Sequence, residues 1–361
     1  MKKVVLGFSG GVDSAVCSVL LRKQGYEVAG VYLDNSGKAE LEAAVSGAEA
    51  AGIPLEVIDV KADLEEHVCR PFAESYLRGE TPNPCILCNP TVKFRYLLSA
   101  ADALGAEYIA TGHYANIVCE GGRFFIEQGK DTLKDQSYFL WKLDQNILCR
   151  TLFPIGGMTK QQVREYLADN NVEIRPSNRE SMEICFIEND YRSYLRGRIP
   201  DIDDKIGPGK FVDSNGLVVG QHKGYPFYTV GQRKGLEVAF GSPRYVLRTN
   251  PEKNTVMLGL PGQLDAEYML VRNLRMYVNG AEVREPLDAR IRYRGKSLKC
   301  MISGPVADNL TLVRFLETAS AVTPGQSVVF YLGTRVAGGG EIASQRGINQ
   351  YIVKNEGTDT I

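Results

Sequence analysis

The sequence predicts an α/β protein in which an N-terminal parallel sheet is followed by two small β-rich domains, the last a β-barrel. In the first half, apolar runs of about five residues alternate with longer helical stretches, a pattern typical of parallel sheets with helices on both faces. From Lys210 onward helical periodicity is scarce, and short alternating runs are separated by turn pairs such as Lys223-Gly224 and Asn250-Pro251. This second pattern indicates antiparallel β-structure.

The predicted elements of the first half alternate in chain order. We expect strands at residues 3–8, 27–33, 55–60 and 107–110, and helices at 13–24, 40–51, 64–77 and 91–104. Ligands of such sheets bind outside the carboxyl ends of the strands. Because the Gly10-Gly11 turn follows the first strand, we expect a ligand at this turn.

Length and local polarity indicate the domain boundaries. A chain of 361 residues is long enough for two or three domains. Residues 201–204 read Asp-Ile-Asp-Asp, which is typical of a polar linker, and Leu260-Pro261-Gly262 marks a second boundary. We therefore predict domains at 1–200, 201–264 and 265–361.

Composition excludes several classes of protein. The chain is 44% hydrophobic and 24% charged, as in globular rather than disordered or fibrous proteins. Its net charge of -1 provides no overall positive field for nucleic acid, although a local basic face remains open. No apolar run approaches the roughly 20 residues of a membrane span, and Ser9 interrupts the N-terminal apolar run too early for a signal peptide. We expect a cytoplasmic protein with no membrane partner and reduced thiols.

The segment Ser9-Gly10-Gly11-Val12-Asp13-Ser14 lies between the first strand and the first helix. Its glycines permit a tight turn and close approach of a ligand to the backbone, and the helix start presents free N–H groups that suit phosphate. It is not a Walker A loop, since no Gly-x4-Gly-Lys-Ser/Thr occurs. The alternative is a plain strand-to-helix turn in which Ser or Asp only caps the helix.

These residues resemble a known family. SGGVDS is similar to the PP-loop of ATP pyrophosphatases, which adenylate a substrate and release pyrophosphate. Six further blocks resemble, in the order in which they follow along the chain, the bacterial tRNA-specific 2-thiouridylase (MnmA) family: PNPCILCN at 82–89, ATGHY at 110–114, KDQSYFL at 134–140, EICFI at 183–187, GQRKG at 231–235 and TPGQSVVFY at 323–331. The resemblance covers residues 3 to 347. It implies a PP-loop (adenine nucleotide α-hydrolase-like) domain that uses ATP with Mg2+.

The resemblance implies a tRNA-uridine 2-sulfurtransferase that acts on the wobble uridine of the anticodon loop. Adenylation would make the C2 oxygen of the base a leaving group, so that a sulfur nucleophile can displace AMP. In the family, the Cys185 position carries a persulfide, and the Cys88 position resolves it and can pair with it as a disulfide. A cysteine desulfurase or a sulfur-relay protein would supply the sulfur. We expect lowered pKa values for both thiols, with Cys88 just before a helix start.

The resemblance also assigns binding residues. Those at ATP are Gly7, Phe8, Ser9, Gly10, Gly11, Val12, Asp13, Ser14, Leu33 and Gly112. Those at the target base or elsewhere on the tRNA are Asn83, Pro84, Cys85, His113, Lys134, Asp135, Gln136, Arg292, Tyr293 and Gln326. Judged from the residues alone, His113 is equally consistent with a structural role, Leu33 with a core position and Lys134 with an exposed helix start.

The eight cysteines leave one metal alternative open. Cys85-x2-Cys88 has no second pair nearby and is a poor zinc signal. An iron–sulfur cluster on Cys85, Cys88 and Cys185 remains an alternative, although we expect no permanent cofactor and no metal site. Cys85 stands where some family members carry Asp. The remaining cysteines are expected to be small buried hydrophobes: Cys17, Cys69, Cys119, Cys149 and Cys300.

A basic region in the last domain is the candidate RNA-binding surface. Residues 271–350 contain eleven Lys and Arg against six Asp and Glu. Arg290, Arg292, Arg294 and Lys296 alternate, so on a strand they would share one face and contact phosphates; the alternative is a solvated strand face.

Two other functions remain open at this level. One is a PP-loop ligase that forms an amide or amidine on a small metabolite, and the other is a non-catalytic tRNA-binding protein that keeps ATP as a structural ligand. Pyrophosphate release that is stimulated by RNA distinguishes the thiouridylase from both.

Overall fold

The structure is a computed structural model that describes residues 1–35, 38–170, 184–187, 190–238, 241–278 and 285–356. The chain divides into two compact units. The first contains Met1–Cys69, Pro84–Phe186 and Thr334–Val336, and the second contains Arg70–Asn83, Ile187–Gly333 and Ala337–Ile361.

The helices of the described residues are α1 Val12–Lys23, α2 Lys38–Ala51, α3 Lys61–Leu64, α4 Arg70–Leu77, α5 Pro84–Cys88, α6 Phe94–Leu104, α7 Gln145–Leu148, α8 Lys160–Asp169, α9 Tyr191–Arg198, α10 Ile202–Ile206 and α11 Ile348–Glu356. Two π-helical turns, Glu65–Cys69 and Asn89–Lys93, join α3 to α4 and α5 to α6. The turn Asn89–Lys93 contains Pro90, and the turn Glu65–Cys69 is followed directly by Arg70-Pro71. Proline has no N–H group for the regular helical hydrogen bond.

The first unit is built on a parallel sheet, as predicted. Its strands are β1 Lys3–Gly7, β2 Glu27–Asp34, β3 Leu55–Asp59, β4 Tyr108–Ala110 and β7 Thr151–Leu152, in the order β3-β2-β1-β4-β7. An antiparallel hairpin, β5 Ala115–Glu120 and β6 Arg123–Gln128, follows β4. In the sheet, β2 lies on one side of β1 and β4 lies on the other side of β1. The loops that follow β1 and β4 therefore meet at a switch point, where sheets of this type bind ligands.

The core of the first unit is built around strand β1. β1 buries Val4, Val5 and Leu6 completely, as expected of a central strand. The helix α1 packs on it through Val16 and Leu21 in the same apolar cluster. The predicted strands and the first two helices are thus confirmed to within a few residues.

One predicted helix start is wrong. The helix expected at 91–104 begins at Pro84 and continues through the π-helical turn to Leu104, where Gly105 ends it with φ 64°. Pro84 can start the helix, because proline is favoured at the first helical position, where it needs no N–H partner. Both cysteines of the motif therefore lie within α5.

The second unit contains two β-modules. The first is a four-stranded sheet in the order β10-β11-β8-β9, formed by β8 Gly209–Val212, β9 Val218–His222, β10 Tyr245–Asn250 and β11 Thr255–Gly259. The second contains β12 Asp265–Met276, β13 Leu287–Arg290, β14 Leu298–Ala307, β15 Leu310–Ser320, β16 Ser327–Leu332 and β17 Arg335–Ile342. Their order is β12-β15-β14-β13-β16-β17, and β17 pairs back onto β12. This closure confirms the predicted β-barrel, because the first and last of these six strands pair with each other.

The predicted row of basic residues does not lie on one strand. β13 ends at Arg290, and the chain then turns, with Arg294 at φ 58°. Arg292 and Arg294 are exposed in this turn, while Lys296 pairs with Glu317 at 2.5 Å. Alternation predicts a shared face only where the backbone is extended, and here it is not.

None of the helices in the described ranges is long and apolar enough to cross a bilayer.

His222 is buried in the four-stranded module with an unusual hydrogen-bonding state. Its ring packs against Phe211 and Tyr228, and its Nδ1 accepts a hydrogen bond from the Gly224 N–H at 3.0 Å. The proton therefore lies on Nε2, which has no partner among the described residues. Burial lowers the pKa of His222 to about 4.

We expect this histidine to destabilise the fold at low pH. The unfolded chain takes up the proton near pH 6.5 and the folded chain only near pH 4, so the stability that neutral His222 provides is lost as the pH falls through this window. His222→Gln should reduce the loss of unfolding free energy between pH 7 and pH 5 by about 2 kcal/mol, measured by urea unfolding. His67→Gln, at a partly exposed site, is the control, and an unchanged slope in His222→Gln would contradict the prediction.

Candidate active site

The loop after β1 requires glycine at one position. Gly10 has φ +76°, and a Cβ there would lie 2.4 Å from the carbonyl oxygen of Ala43 in α2. A side chain at this position would therefore be strained twice, by its backbone conformation and by contact with α2. The turn that the sequence predicted between β1 and α1 is thus held in a form that brings its backbone to the carboxyl end of β1.

The N-terminus of α1 is not capped by a side chain. Gly11 is the N-cap residue, and the Ser14 hydroxyl donates to the Gly11 carbonyl at 2.9 Å rather than accepting from an N–H group. The first-turn N–H groups of α1 therefore have no side-chain acceptor among the described residues, which favours an anion site. The alternative interpretation, in which this segment serves only to cap the helix, is not supported.

Asp13 in the first turn of α1 is held by two side chains. The Lys160 ammonium lies 2.6 Å and 2.8 Å from the two carboxylate oxygens, and the Tyr114 hydroxyl donates at 2.7 Å. Burial first, and then the Asp13 charge, raise the pKa of Tyr114, so the phenol stays protonated and remains a donor. Gly112 lies against Asp13, since a Cβ at Gly112 would be 3.3 Å from the Asp13 Cβ.

Sequence reasoning missed Lys160. It is the first residue of α8, which begins with a capping box formed by Thr159 and Gln162. That local pattern predicts a helix start but no partner for its lysine. An open cavity of about 570 Å3 extends from Lys160, and it is lined by Asp131, Leu133, Lys134, Lys160, Gln161, Arg164 and Glu165. Lys134, a predicted tRNA contact, is therefore on the same cavity as Lys160.

An apolar cluster brings three distant segments together. Its buried members are Val60, Leu64, Val68, Cys69 and Val92. Leu33, Cys88 and Phe186 pack against it. The predicted adenine contact at the end of β2, the predicted resolving cysteine and the residue after the predicted persulfide cysteine therefore border one cluster.

The Cys88 thiol does not have the lowered pKa that the sequence predicts. Burial raises the pKa of Cys88 to about 12 and also raises that of Cys85, and the nearby Cys185 contributes in the same direction to both. The prediction of a lowered pKa for Cys88 is wrong for two reasons. The thiol is partly buried against apolar side chains, and it lies at the last residue of α5 with the π-helical turn directly after it, rather than in front of a helix start.

Lys93 opposes this effect and was not predicted. Its positive charge lowers the pKa of both Cys85 and Cys88 and also that of His113. Lys93 ends the π-helical turn that follows Cys88, so a regular helix drawn from the sequence would place it on a different face. The motif PNPCILCN stops before this residue, and no signal within the sequence pointed to it.

His113 follows β4 and is almost fully buried. Its Nδ1 is 2.7 Å from the Thr111 hydroxyl, and its ring stacks with Phe94 and meets the edge of Phe153. Burial first, and then the charge of Lys93, hold the pKa of His113 well below its usual value. The imidazole is therefore neutral, which agrees with the alternative in which His113 has a structural role. Its contact with tRNA stays a prediction.

The loop that carries Lys134 is fixed from within. The buried Asp135 accepts from the N–H groups of Gly129 and Ser137 at 3.0 and 3.1 Å. Gln136 Oε1 accepts from the Tyr114 N–H at 3.0 Å, and the Asn89 side chain donates to the Phe139 carbonyl at 2.9 Å. These bonds give Asp135 and Gln136 a role in positioning the loop, and their tRNA contacts stay predictions.

The remaining predicted tRNA residues belong to the second unit. Arg292 is exposed, and Tyr293 lies beside Arg294, whose guanidinium is 5.5 Å from the tyrosine ring. Gln326 donates to the Thr81 carbonyl at 2.7 Å. The binding of RNA by Arg292, Tyr293 and Gln326 stays a prediction.

The cysteines are all free thiols in this structure. Cys17, Cys69 and Cys300 are buried as predicted, but Cys119 and Cys149 are exposed, one near the tip of the β5–β6 hairpin and one in the turn after α7. Among the described residues, no three His, Cys, Asp or Glu side chains are grouped as a metal ion requires, so the three-cysteine cluster has no preformed site there.

Comparison with known proteins decides the family. Three family models match in order: "tRNA methyl transferase HUP domain" at residues 2–189, "tRNA methyl transferase PRC-barrel domain" at 192–260 and "Aminomethyltransferase beta-barrel domain" at 267–342. The chain is 48% identical to tRNA-specific 2-thiouridylase MnmA 3 of Phocaeicola vulgatus, with 98% of each chain covered. The chain belongs to the tRNA-specific 2-thiouridylase family.

Other thiouridylases agree. Identity is 48% to MnmA 3 of Bacteroides fragilis, over 98% of each chain, and 40% to MnmA of Amoebophilus asiaticus, over 95% of this chain and 96% of that one. Among solved structures, a 4-thiouridine synthetase–RNA complex with bound ATP aligns at a TM-score of 0.33 and 17% identity, over 47% of this chain and 41% of that one. That likeness is too low to add to the thiouridylase assignment.

The contact between Lys160 and Asp13 predicts a change in nucleotide affinity. Lys160→Met leaves the Asp13 carboxylate without its counter-ion beside the open N-terminus of α1, and the negative charge should repel phosphate. We expect the Kd for ATP to rise about ten-fold, measured by calorimetry. Arg164→Met removes another cation of the same cavity and is the control. Equal affinities of the wild type and Lys160→Met would contradict the prediction.

Proposed function

We propose that this protein is a tRNA-uridine 2-sulfurtransferase that converts the wobble uridine, position 34 of tRNA, to 2-thiouridine with release of AMP and pyrophosphate. The observation that carries the proposal is the meeting of Leu33, Cys88 and the segment after Cys185 at one apolar cluster. Nucleotide, sulfur carrier and resolving thiol then belong to one site. Similarity to thiouridylases over nearly the whole chain supports the same reaction.

The first step is adenylation of the base. The C2 oxygen of uridine attacks the α-phosphorus of ATP, pyrophosphate leaves, and the base carries an AMP ester. Gly7, Phe8 and Leu33 line the nucleotide, and the loop from Ser9 to Ser14 binds its phosphates through the uncapped start of α1. Gly112 admits the phosphates close to the backbone after β4. Asp13 has the oxygen donors that Mg2+ prefers, and that ion would neutralise charge on the triphosphate.

The second step transfers sulfur. The terminal sulfur of a Cys185 persulfide attacks C2 and AMP leaves, so the base is joined to Cys185 through two sulfurs. The Cys88 thiolate then attacks the Cys185 sulfur, which releases 2-thiouridine and leaves a Cys88–Cys185 disulfide. An external thiol reductant returns both residues to thiols. Asn83, Pro84 and Cys85 would line the base in this step.

The protonated state of Cys88 fits this order of events. With a pKa raised to about 12, Cys88 is a thiol at rest and does not attack the persulfide before the base is in place. Cys85 is also held as a thiol, so it does not replace the aspartate of some relatives as a resting base. Lys93 supplies the charge that favours the thiolates.

The partners follow from the chemistry. The substrate is the anticodon loop of tRNA, whose unstacked bases enter a pocket at modest cost. His113 and Lys134 would contact the tRNA near the base, with Asp135 and Gln136 beside them, and Arg292, Tyr293 and Gln326 on the barrel. The exposed Cys185 is accessible to a cysteine desulfurase or a sulfur-relay protein that delivers sulfur. Because the substrate is tRNA, we place the reaction in the cytoplasm, and we keep 1–200, 201–264 and 265–361 as the proposed domains.

Replacing the two reactive cysteines tests the proposal. Cys185→Ser and Cys88→Ser should each abolish 2-thiouridine, because one loses the sulfur carrier and the other the resolving thiol, measured by nucleoside mass spectrometry of tRNA after reaction. Both should retain tRNA-stimulated pyrophosphate release. Cys119→Ser, at an exposed site, and Cys300→Ser should remain active. Full thiolation by either of the first two variants would overturn the mechanism, and pyrophosphate release indifferent to RNA would favour the small-metabolite ligase.

The raised pKa of Cys88 predicts the pH dependence of thiolation. Below a pKa of about 12 the thiolate fraction grows about ten-fold per pH unit, so resolution by Cys88 should accelerate with pH. In single-turnover reactions that start from the Cys185 persulfide, we expect the rate of 2-thiouridine release to rise about ten-fold per unit from pH 7 to pH 9. Pyrophosphate release in the same samples is the control. A plateau below pH 8 would contradict the prediction.

A further inference from the structure

The segment Leu77–Thr81, which precedes the cysteine motif, carries contacts that the proposed reaction does not use. It belongs to the second unit, together with both β-modules. The segment connects α4 to residues 82 and 83, and α5 begins directly afterwards.

The four-stranded module binds two carbonyl groups of the segment. The Tyr225 hydroxyl donates to the Leu77 carbonyl at 2.5 Å, and the Thr249 hydroxyl donates to the Gly79 carbonyl at 3.1 Å. Gly79 has φ +74°, and a Cβ there would lie 2.7 Å from the Thr249 hydroxyl. The chain therefore passes close to this module in a conformation that favours glycine.

The barrel binds the segment through a buried ion pair. Arg272 on β12 places its two terminal nitrogens 2.7 and 3.0 Å from the two carboxylate oxygens of Glu80, a bidentate arrangement. The Arg272 Nε also bonds Glu341 on β17 at 3.2 Å. Glu80 is only 8% exposed, and its other cationic contact, Arg78 at 3.4 Å, is longer and single, so loss of Arg272 would leave a buried charge poorly compensated.

A barrel turn binds both backbone groups of the next residue. The Thr81 N–H donates to the Pro324 carbonyl at 2.8 Å, and the Gln326 side chain donates to the Thr81 carbonyl at 2.7 Å. Gly325, at φ +89°, would bring a Cβ within 2.8 Å of the Glu80 Cβ and of the Thr81 nitrogen. Gln326, predicted to contact tRNA, is thus engaged with this segment in the structure.

These bonds restrict the residues that follow. From Thr81 to Cys85 the chain runs through Pro82, Asn83 and Pro84. Each proline fixes its own φ and narrows the conformations of the residue before it, so few backbone states separate a fixed Thr81 from the first turn of α5. Any displacement of Thr81 is therefore passed on to Asn83 and Cys85.

We propose that Glu80 is a positioning residue for sulfur transfer: its ion pair with Arg272 holds Leu77–Thr81, and thereby the residues that receive the target base. The inference rests on the proposed roles of Cys88 and Cys185. Glu80 touches neither substrate nor sulfur. Loosening the segment leaves Arg292, Tyr293 and the phosphate loop intact, so adenylation continues while sulfur transfer becomes inefficient and the adenylate is hydrolysed.

The test compares two carboxylates on the same arginine. Glu80→Gln removes the charge on the segment, and Glu341→Gln removes the matching charge on β17, outside the segment. The 2-thiouridine formed per AMP released, kcat and the KM for tRNA are measured at a temperature where circular dichroism shows every variant folded. For Glu80→Gln we expect the product per AMP and kcat to fall about five-fold or more, with KM changed less than about two-fold. Glu341→Gln should keep the wild-type ratio.

The outcomes separate this inference from the proposed function. A wild-type ratio in Glu80→Gln, or an equal fall in both variants, would overturn the positioning role, since a purely structural contribution alters the amount of folded enzyme and not the ratio. If Glu80→Gln does not fold, Arg272→Lys keeps the charge without the two-pronged bond and should show the same fall. Cys88→Ser in the same assay should give no product; normal product there would refute the proposed function whatever Glu80 does.

Discussion

The apolar cluster beneath Cys88 is the constraint on which the rest of the site depends. Val60, Leu64 and Val68 come from the segment after β3, and Val92 comes from the π-helical turn. Burying these side chains is favourable by about 1.5 to 3 kcal/mol each, which is enough to hold Leu33, Cys88 and Phe186 against one surface. The residues proposed to bind the nucleotide and to transfer sulfur are thereby brought together at a place that the sheet alone would not have created.

The same burial sets the reactivity of the thiols. An apolar environment stabilises the neutral thiol over the thiolate, so a cysteine held in the cluster is a poor nucleophile at rest. Lys93 moves the balance toward the thiolate without reversing it. A sulfurtransferase benefits from this state, because a resolving thiol that was always ionised would consume the persulfide before any base was bound.

Much of the architecture followed from local patterns. The strand–helix order, the turn at Gly10 and the closed barrel required only periodicity, glycine and turn residues. Errors arose where the backbone departed from regular geometry: the helix that starts at Pro84, and the turn at Arg294 that breaks the row of basic residues. Exposure of Cys119 was missed because a hairpin tip cannot be told from a buried strand by its apolar residues.

The motif residues and their order along the chain indicate the family without any coordinates, since a glycine turn before a helix depends only on residue type and local geometry. The protonation of Cys85 and Cys88 does not follow from residue type, because it depends on burial and on charges supplied by the fold. The partner of Asp13 is likewise hidden in the sequence, as Lys160 lies 147 residues away along the chain. The contact between Lys160 and Asp13 forms only after the chain has packed, because no local sequence pattern relates helix α8 to the start of α1.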